Sequence, residues 1–308
     1  MATMIKTKKT KRECYDILKS QLETERSSFI THWRDLGDYI LPRRPRFLLT
    51  DMNRGEKKNT KILDSTATTA ARTLRSGMMG GITSPARPWF RLTTPEPAIA
   101  EQASVKEWLD VVGTRMSTVF LRSNLYNTLP IIYGDIGVFG TSAMMIEEDF
   151  DEVIRTTAFP VGSYMVANDS KGRVRTFFRE FNMTVRQLVE KFGERDEDGE
   201  IVWDNFSSLV KEKWKSDQKD AWVNVCHVIT ENEDYDEDAL ESKNKKWASC
   251  YYESGTRSGG NTYNINKEVF LRESGFDYFP VLVPRWEVTG EDSYATECPG
   301  MTALGDIK

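Results

Sequence analysis

Apolar residues near the start of the chain recur at the spacing of one long α-helix. They lie three, four or seven residues apart, which places them on one stripe of a helix with 3.6 residues per turn. Pro42 and Pro45 end the pattern, because proline lacks the backbone N–H and restricts the residue before it. The sequence therefore predicts an amphipathic helix that ends at Pro42. Its stripe consists of Leu18, Leu22, Phe29, Trp33, Leu36 and Ile40.

Three further helices are predicted in the first 140 residues. The second begins at Asp64 or Ser65, either of which can cap free N–H groups. It carries alanines on one face, so that another backbone can approach closely, and it ends at the glycine run 77–81. The third opens with a capping box at Ser104. A short fourth helix covers residues 130–136.

After Gly140 the pattern changes to short apolar runs separated by turn residues, which predicts strands. A capping box, Thr184-x-x-Gln187, predicts a short helix that ends at Gly193. Helices followed by a mostly antiparallel sheet make the fold class α+β. The predicted strands cover residues 143–146, 153–156, 164–167, 173–181, 223–229, 247–252 and 268–273.

The chain divides into three parts on this pattern. Residues 1–140 form a helical part and residues 141–298 a β-rich part. Residues 299–308 have the spacing of a new helix that Pro299 introduces. We expect this helix to be truncated at Lys308, because natural chain ends are usually frayed and polar.

Composition excludes several classes of protein. The chain of 308 residues is 39% hydrophobic and can bury a core. No apolar run approaches the roughly 20 residues of a membrane span, and the N-terminus lacks the apolar region of a secretion signal. Four widely spaced cysteines without a CxxC pair favour a reducing compartment.

Charge is distributed unevenly along the chain. Residues 1–91 contain 19 Lys/Arg and 9 Asp/Glu, a net charge of +10. Residues 194–241 contain 5 Lys/Arg and 16 Asp/Glu, a net charge of −11. One interpretation is two solvated faces of one protein. The alternative is a nucleic-acid-binding module that acts through the basic N-terminal segment.

Groups that could perform chemistry are few. Cys226 and His227 are adjacent on a predicted strand, so their side chains point to opposite faces, which argues against a Cys–His nucleophile. The other histidine, His32, lies on the amphipathic helix. A hydrolase that uses Cys226 or an Asp/Glu pair stays the third hypothesis. We expect no catalytic residue, no cofactor and no metal site, because no ligand spacing is present.

The glycine run 77–81 is followed by an arginine between two prolines, Arg87, and then by Trp89 and Phe90. A phosphate loop joins a strand to a helix N-terminus, whereas this run follows a predicted helix. The run therefore indicates close packing and no anion site.

Eight short motifs follow one another along the chain. They lie at residues 32–42, 62–67, 77–79, 84–90, 123–126, 137–141, 179–188 and 299–304. In this order they resemble the head-to-tail connector, or portal, proteins of short-tailed bacteriophages, over nearly the whole chain.

The resemblance implies a structural subunit without catalytic activity, in a dodecameric ring at one capsid vertex of the virion. Its expected partners are further copies of itself, capsid, scaffold, terminase and tail proteins, and the double-stranded DNA that passes through the ring during packaging and ejection. It would be made in the host bacterial cytoplasm, without contact with a membrane. The family chain begins with a wing region and continues into a stem helix, so this sequence is expected to hold the wing and to end where the stem begins.

Within that resemblance, Arg87, Trp89 and Phe90 are the candidate residues for packing between subunits. The Arg87-Pro88 turn would hold both aromatic rings in place. The alternative is that both rings belong to the core of one subunit.

Overall fold

The computed structural model describes residues 10–47, 58, 60–254, 257–258, 261–262 and 269–308. Helices come first and mostly antiparallel sheets follow, so the predicted α+β class is confirmed. The helices are α1 Lys11–Tyr39, α2 Thr66–Ile82, α3 Pro97–Ala100, α4 Ala103–Arg122, α5 Leu125–Phe139, α6 Val185–Phe192, α7 Ser208–Lys215 and α8 Pro299–Ile307. The strands are β1 Ala143–Asp149, β2 Val153–Phe159, β3 Tyr164–Asn168, β4 Val174–Thr184, β5 Trp222–Glu231, β6 Trp247–Glu253, β7 Arg257–Ser258, β8 Asn261–Thr262, β9 Arg272–Phe276 and β10 Val281–Leu282.

The chain forms two compact units, each assembled from separated segments. The first unit comprises residues 1–31, 46–55 and 162–279. The second unit comprises residues 32–45, 56–161 and 280–308.

A five-stranded antiparallel sheet, in the order β3-β4-β5-β6-β9, forms the centre of the first unit. Successive side chains of a strand point to opposite faces, and β5 buries both of its faces. Val223 and Val225 pack with α6 and α7. Cys226 and Val228 pack in a separate cluster with Tyr15 and other residues of α1.

The capping box that starts α6 is confirmed. The Thr184 hydroxyl accepts a hydrogen bond from the Gln187 N–H at 3.3 Å, and the Gln187 side chain accepts one from the Thr184 N–H at 3.1 Å. The helix ends at Gly193, as predicted. Helix α7 was not predicted. Ser207 caps it and donates its own N–H to Glu253 at 2.8 Å.

The second unit is built around α5 and a three-stranded sheet in the order β10-β1-β2. The predicted span 130–136 was too short, because α5 begins at Leu125 and includes Pro130. An internal proline removes one helical hydrogen bond, and burial of Leu125 and Ile132 on either side of it offsets this loss. Gly140 ends α5 in the left-handed conformation at φ +75°.

Helix α8 lies directly against the backbone of α5. The Cys298 thiol donates to the Val138 carbonyl at 3.2 Å. A Cβ on Gly300 would lie 2.6 Å from the same carbonyl oxygen, so only glycine fits there without a shift. The helix predicted from residue 299 is therefore present and is closely packed on its neighbour.

Two further predicted boundaries were wrong, and a third falls partly outside the described residues. Helix α1 ends at Tyr39, before Pro42. Helix α4 begins at Ala103, so Ser104 lies inside it and makes no capping bond. The last predicted strand begins outside the described residues, and β9 starts at Arg272.

Candidate functional site

The segment after α2 holds the candidate residue Arg87. Its Nη2 donates to the carbonyl oxygens of Gly80 at 3.1 Å and Gly81 at 3.5 Å. The last four carbonyls of a helix have no partner within it, and α2 continues through the glycine run to Ile82. The prediction that the run ends the helix was therefore wrong, and Arg87 supplies donors to the carbonyl end of α2, where a positive charge is also favoured.

Trp89 and Phe90 pack against the end of α4 and the start of α5. The Trp89 Nε1 donates to the Tyr126 hydroxyl at 3.0 Å. Its ring stacks on Phe120 at 6.0 Å between centroids, and Phe90 lies 5.7 Å from the same ring. Trp89 stays 36% exposed. One side of the Trp89 ring therefore packs against residues of the same chain, and the other side is accessible to solvent.

Glycines on α2 and α5 have different surroundings. Apart from adjacent residues and the backbone of α2 itself, no atom of the described residues lies within 4 Å of the Cβ position of Gly77, Gly80 or Gly81 on α2. On α5, the Cβ position of Gly137 lies 2.7 Å from a methyl group of Leu74. The tight contact between these helices is therefore made at the glycine of α5, and the glycines of α2 face outward.

A buried ion pair joins the segment after α1 to α5. Arg44 binds both carboxylate oxygens of Asp135, with Nε 2.6 Å from Oδ1. The Ser142 hydroxyl donates to Asp135 at 3.4 Å. Burial raises the pKa of Asp135 to about 6, against the opposing effect of Arg44. This pair was not predicted, although a lone acidic residue in the apolar run 131–138 indicates it.

His227 lies inside the sheet of the first unit, beside a hydroxyl group. Its Nε2 is 3.0 Å from the Ser249 Oγ, and its ring stacks on Tyr251 at 3.8 Å. Burial lowers the pKa of His227 well below its usual value and raises that of Cys226 to about 12. Both groups are fully buried, so neither is placed to attack an external substrate.

Comparison with known proteins identifies the family. The family model described as bacteriophage head to tail connecting protein matches residues 13–308. The chain belongs to this family. It is 51% identical over 289 residues to the portal protein of Salmonella phage epsilon15, a match that covers 94% of this chain and 49% of the relative. It is 42% identical over 288 residues to the probable portal protein of Bordetella phage BPP-1, covering 94% and 48%.

The resemblance seen in the ordered motifs is confirmed by these matches. The chain spans about half the length of the curated relatives it matches.

In this connector-family chain, the basic residues at the start of α1 are engaged within the first unit. The Lys11 ammonium lies 3.0 Å from Glu273, and that of Lys19 lies 2.7 Å from Glu180. The Arg12 guanidinium covers the Tyr252 ring at 3.7 Å. These cations are therefore not directed to an external polyanion, and Lys6, Lys8 and Lys9 lie outside the described residues.

The described residues hold neither a metal-ligand cluster nor a membrane-spanning helix. They contain no group of three or more His, Cys, Asp or Glu side chains arranged to hold a metal ion. No described helix has the length and apolar character that crossing a bilayer requires.

Proposed function

We propose that this chain is the wing region of a structural phage portal subunit, part of a homo-oligomeric ring at the capsid vertex. The observation that carries the proposal is the family match across residues 13–308, together with 51% identity to a phage portal protein over 94% of the chain. The subunit has no catalytic activity of its own, and it takes no cofactor.

The proposal extends to the assembly. The ring contains twelve copies in the virion, and double-stranded DNA passes through it. Capsid, scaffold, terminase and tail proteins bind the ring, which is assembled in the host cytoplasm. Residues 1–140 and 141–298 are the helical and β-rich parts of the wing, and residues 299–308 begin the stem helix.

Exposed apolar side chains on α4 support a role in assembly. Trp108, Val111 and Leu121 are 62%, 44% and 58% exposed. Interfaces between proteins are enriched in aromatic residues. Arg87, Trp89 and Phe90 are the residues that we propose contact a neighbouring subunit, because part of Trp89 stays accessible next to this helix.

Ring formation is the direct test. The polypeptide encoded by the whole reading frame that contains this sequence would be purified and viewed by negative-stain electron microscopy, with its mass measured by sedimentation. Twelve-fold rings are expected. A protein that stays monomeric at every concentration and salt condition would contradict the proposal.

The contact residues need a separate test. Trp89→Ala is expected to lower the yield of rings while the thermal unfolding of the monomer stays cooperative. The matched control is Trp222→Ala, which removes a similarly exposed tryptophan (40%) from the first unit. Equal ring yields for the two variants would remove Trp89 from the interface.

A further inference from the structure

The tip of the β1–β2 hairpin presents an aromatic side chain entirely to solvent. Phe150 is fully exposed, and Val153 is 60% exposed. Asp149 accepts hydrogen bonds from the N–H groups of Asp151 and Glu152 at 2.9 and 2.8 Å, which orders the turn. A large apolar side chain on an ordered turn without any packing partner is typical of a residue that is buried only on binding.

Acidic residues surround this phenylalanine. Residues 147–152 contain five acidic side chains and no basic one. In the part of the chain that the structure describes, none of Glu148, Asp151 and Glu152 forms an ion pair through its carboxylate. We call residues 147–153 the acidic tip. Its charge would repel nucleic acid and anionic lipid, so its partner is a basic protein surface with room for an aromatic ring.

The same unit carries a surface of the opposite charge. Between Ser65 and Pro95 the chain has four arginines and no acidic residue. All four are exposed, and among the described residues no ion pair engages them. We call these residues, Arg72, Arg75, Arg87 and Arg91, the arginine surface.

The arginine surface also offers apolar area to an incoming ring. The outward-facing glycines of α2 leave open space around Gly77 and Gly80. Trp89 adds the exposed part of its indole next to Arg87. An aromatic side chain with acidic neighbours is complementary to this surface in charge, and its ring can pack on the exposed apolar area.

We propose that the acidic tip of one copy docks on the arginine surface of the next copy. The two surfaces differ, so the contact is heterologous, and repetition of a heterologous contact closes a ring when the rotation is suitable. The inference rests on the proposed ring and names the pair of surfaces that joins its subunits. It accounts for two exposed surfaces of opposite charge whose charged side chains form no ion pair within the described part of one chain.

Site-directed cross-linking tests the contact. In a Cys14→Ser background, which removes the exposed thiol, one protein carries Asp151→Cys, which keeps Phe150, and another carries Arg91→Cys. A short bismaleimide is added to each protein alone and to assemblies formed from their mixture. Covalent dimers are expected only in the mixture. Rings that form but give no such dimer, or dimers of the Asp151→Cys protein alone, would overturn the inference and leave the proposed function standing.

Charge-reversal variants of the two surfaces provide an independent test. Glu148→Arg with Glu152→Arg in the protein that is cross-linked through its tip, or Arg72→Glu with Arg75→Glu in the protein that is cross-linked through position 91, is expected to reduce the cross-linked yield at least tenfold. Combining both changes in the mixture is expected to restore most of it. The matched control is Glu197→Arg with Asp198→Arg, in an exposed acidic turn of the first unit that has no aromatic side chain. An equal loss in the control, or no restoration in the combined variant, would overturn the pairing.

Discussion

Arg44 holds Asp135 through two hydrogen bonds inside the second unit, where the carboxylate is shielded from water. Such a pair is costly to desolvate, and the attraction between its members does not fully compensate for this cost. Burial accordingly raises the pKa of Asp135 to about 6, although Arg44 acts to lower it.

Stability should depend on pH through this group. The folded chain binds the proton of Asp135 more tightly than the unfolded chain, whose carboxyl has the ordinary pKa of 3.8. The contribution of this group to stability is therefore complete below about pH 4 and is lost as the pH rises through about 6. Relative to Asp135→Asn, the wild-type free energy of unfolding should be about 1 kcal/mol higher at pH 5 than at pH 7. Urea unfolding at both pH values measures it, and a change of opposite sign would refute the assignment.

Two glycines of α8 offer a matched comparison. Gly300→Ala would press a methyl group against the backbone of Val138, with contacts of 2.6 and 2.7 Å. We expect a loss of about 1–3 kcal/mol in unfolding free energy. Gly305→Ala meets no atom within 4 Å and should be neutral or stabilise by up to about 1 kcal/mol. Thermal or urea unfolding of both variants decides this, and equal effects would show that α8 is not seated on α5.

Arg87 should stabilise the end of α2. Arg87→Ala removes the donors to the carbonyls of Gly80 and Gly81, so we expect about 0.5–1 kcal/mol less stability. Arg91→Ala is the control, because the described residues give its guanidinium no hydrogen bond or ion pair; its effect should stay below about 0.5 kcal/mol. Denaturant unfolding measures both, and a larger loss for Arg91→Ala would contradict the capping role.

Thiol reactivity separates the four cysteines. Cys14 is exposed, whereas Cys226, Cys250 and Cys298 are buried. Burial also raises the pKa of each buried thiol, which disfavours the reactive thiolate. An aromatic disulfide reagent should therefore modify one thiol quickly in the native chain and all four after denaturation. Rapid modification of the Cys14→Ser variant would reveal an accessible nucleophile.

The sequence predicted elements best where local pattern and burial agree. Strand β5 alternates between two buried faces, and its predicted span 223–229 lies within the observed Trp222–Glu231. Helix α5 was predicted too short because Pro130 was taken as its first residue, although tertiary burial carries the helix past it. The glycine run in α2 was misread for the same reason, since packing on α5 sustains the helix through residues of low helix propensity.

The sequence identified the residues of the candidate site but not their contacts. The proline-flanked Arg87 and the aromatic pair after it stand out in the sequence. The acceptors of Arg87 depend on where α2 ends, and the partners of Trp89 lie 31 and 37 positions further along the chain, at Phe120 and Tyr126. Side-chain contacts across such separations are set by packing, which local periodicity does not encode.

The seating of α8 has a mechanical consequence. At Gly300 and Cys298 the contact with α5 involves main-chain atoms, which cannot rotate aside as a long side chain can. A force applied along α8 should therefore be transmitted to α5 with little relative displacement of the two helices. From α5 it would pass through the tight turn at Gly140 into β1. We therefore expect α8, α5 and β1 to move together under load.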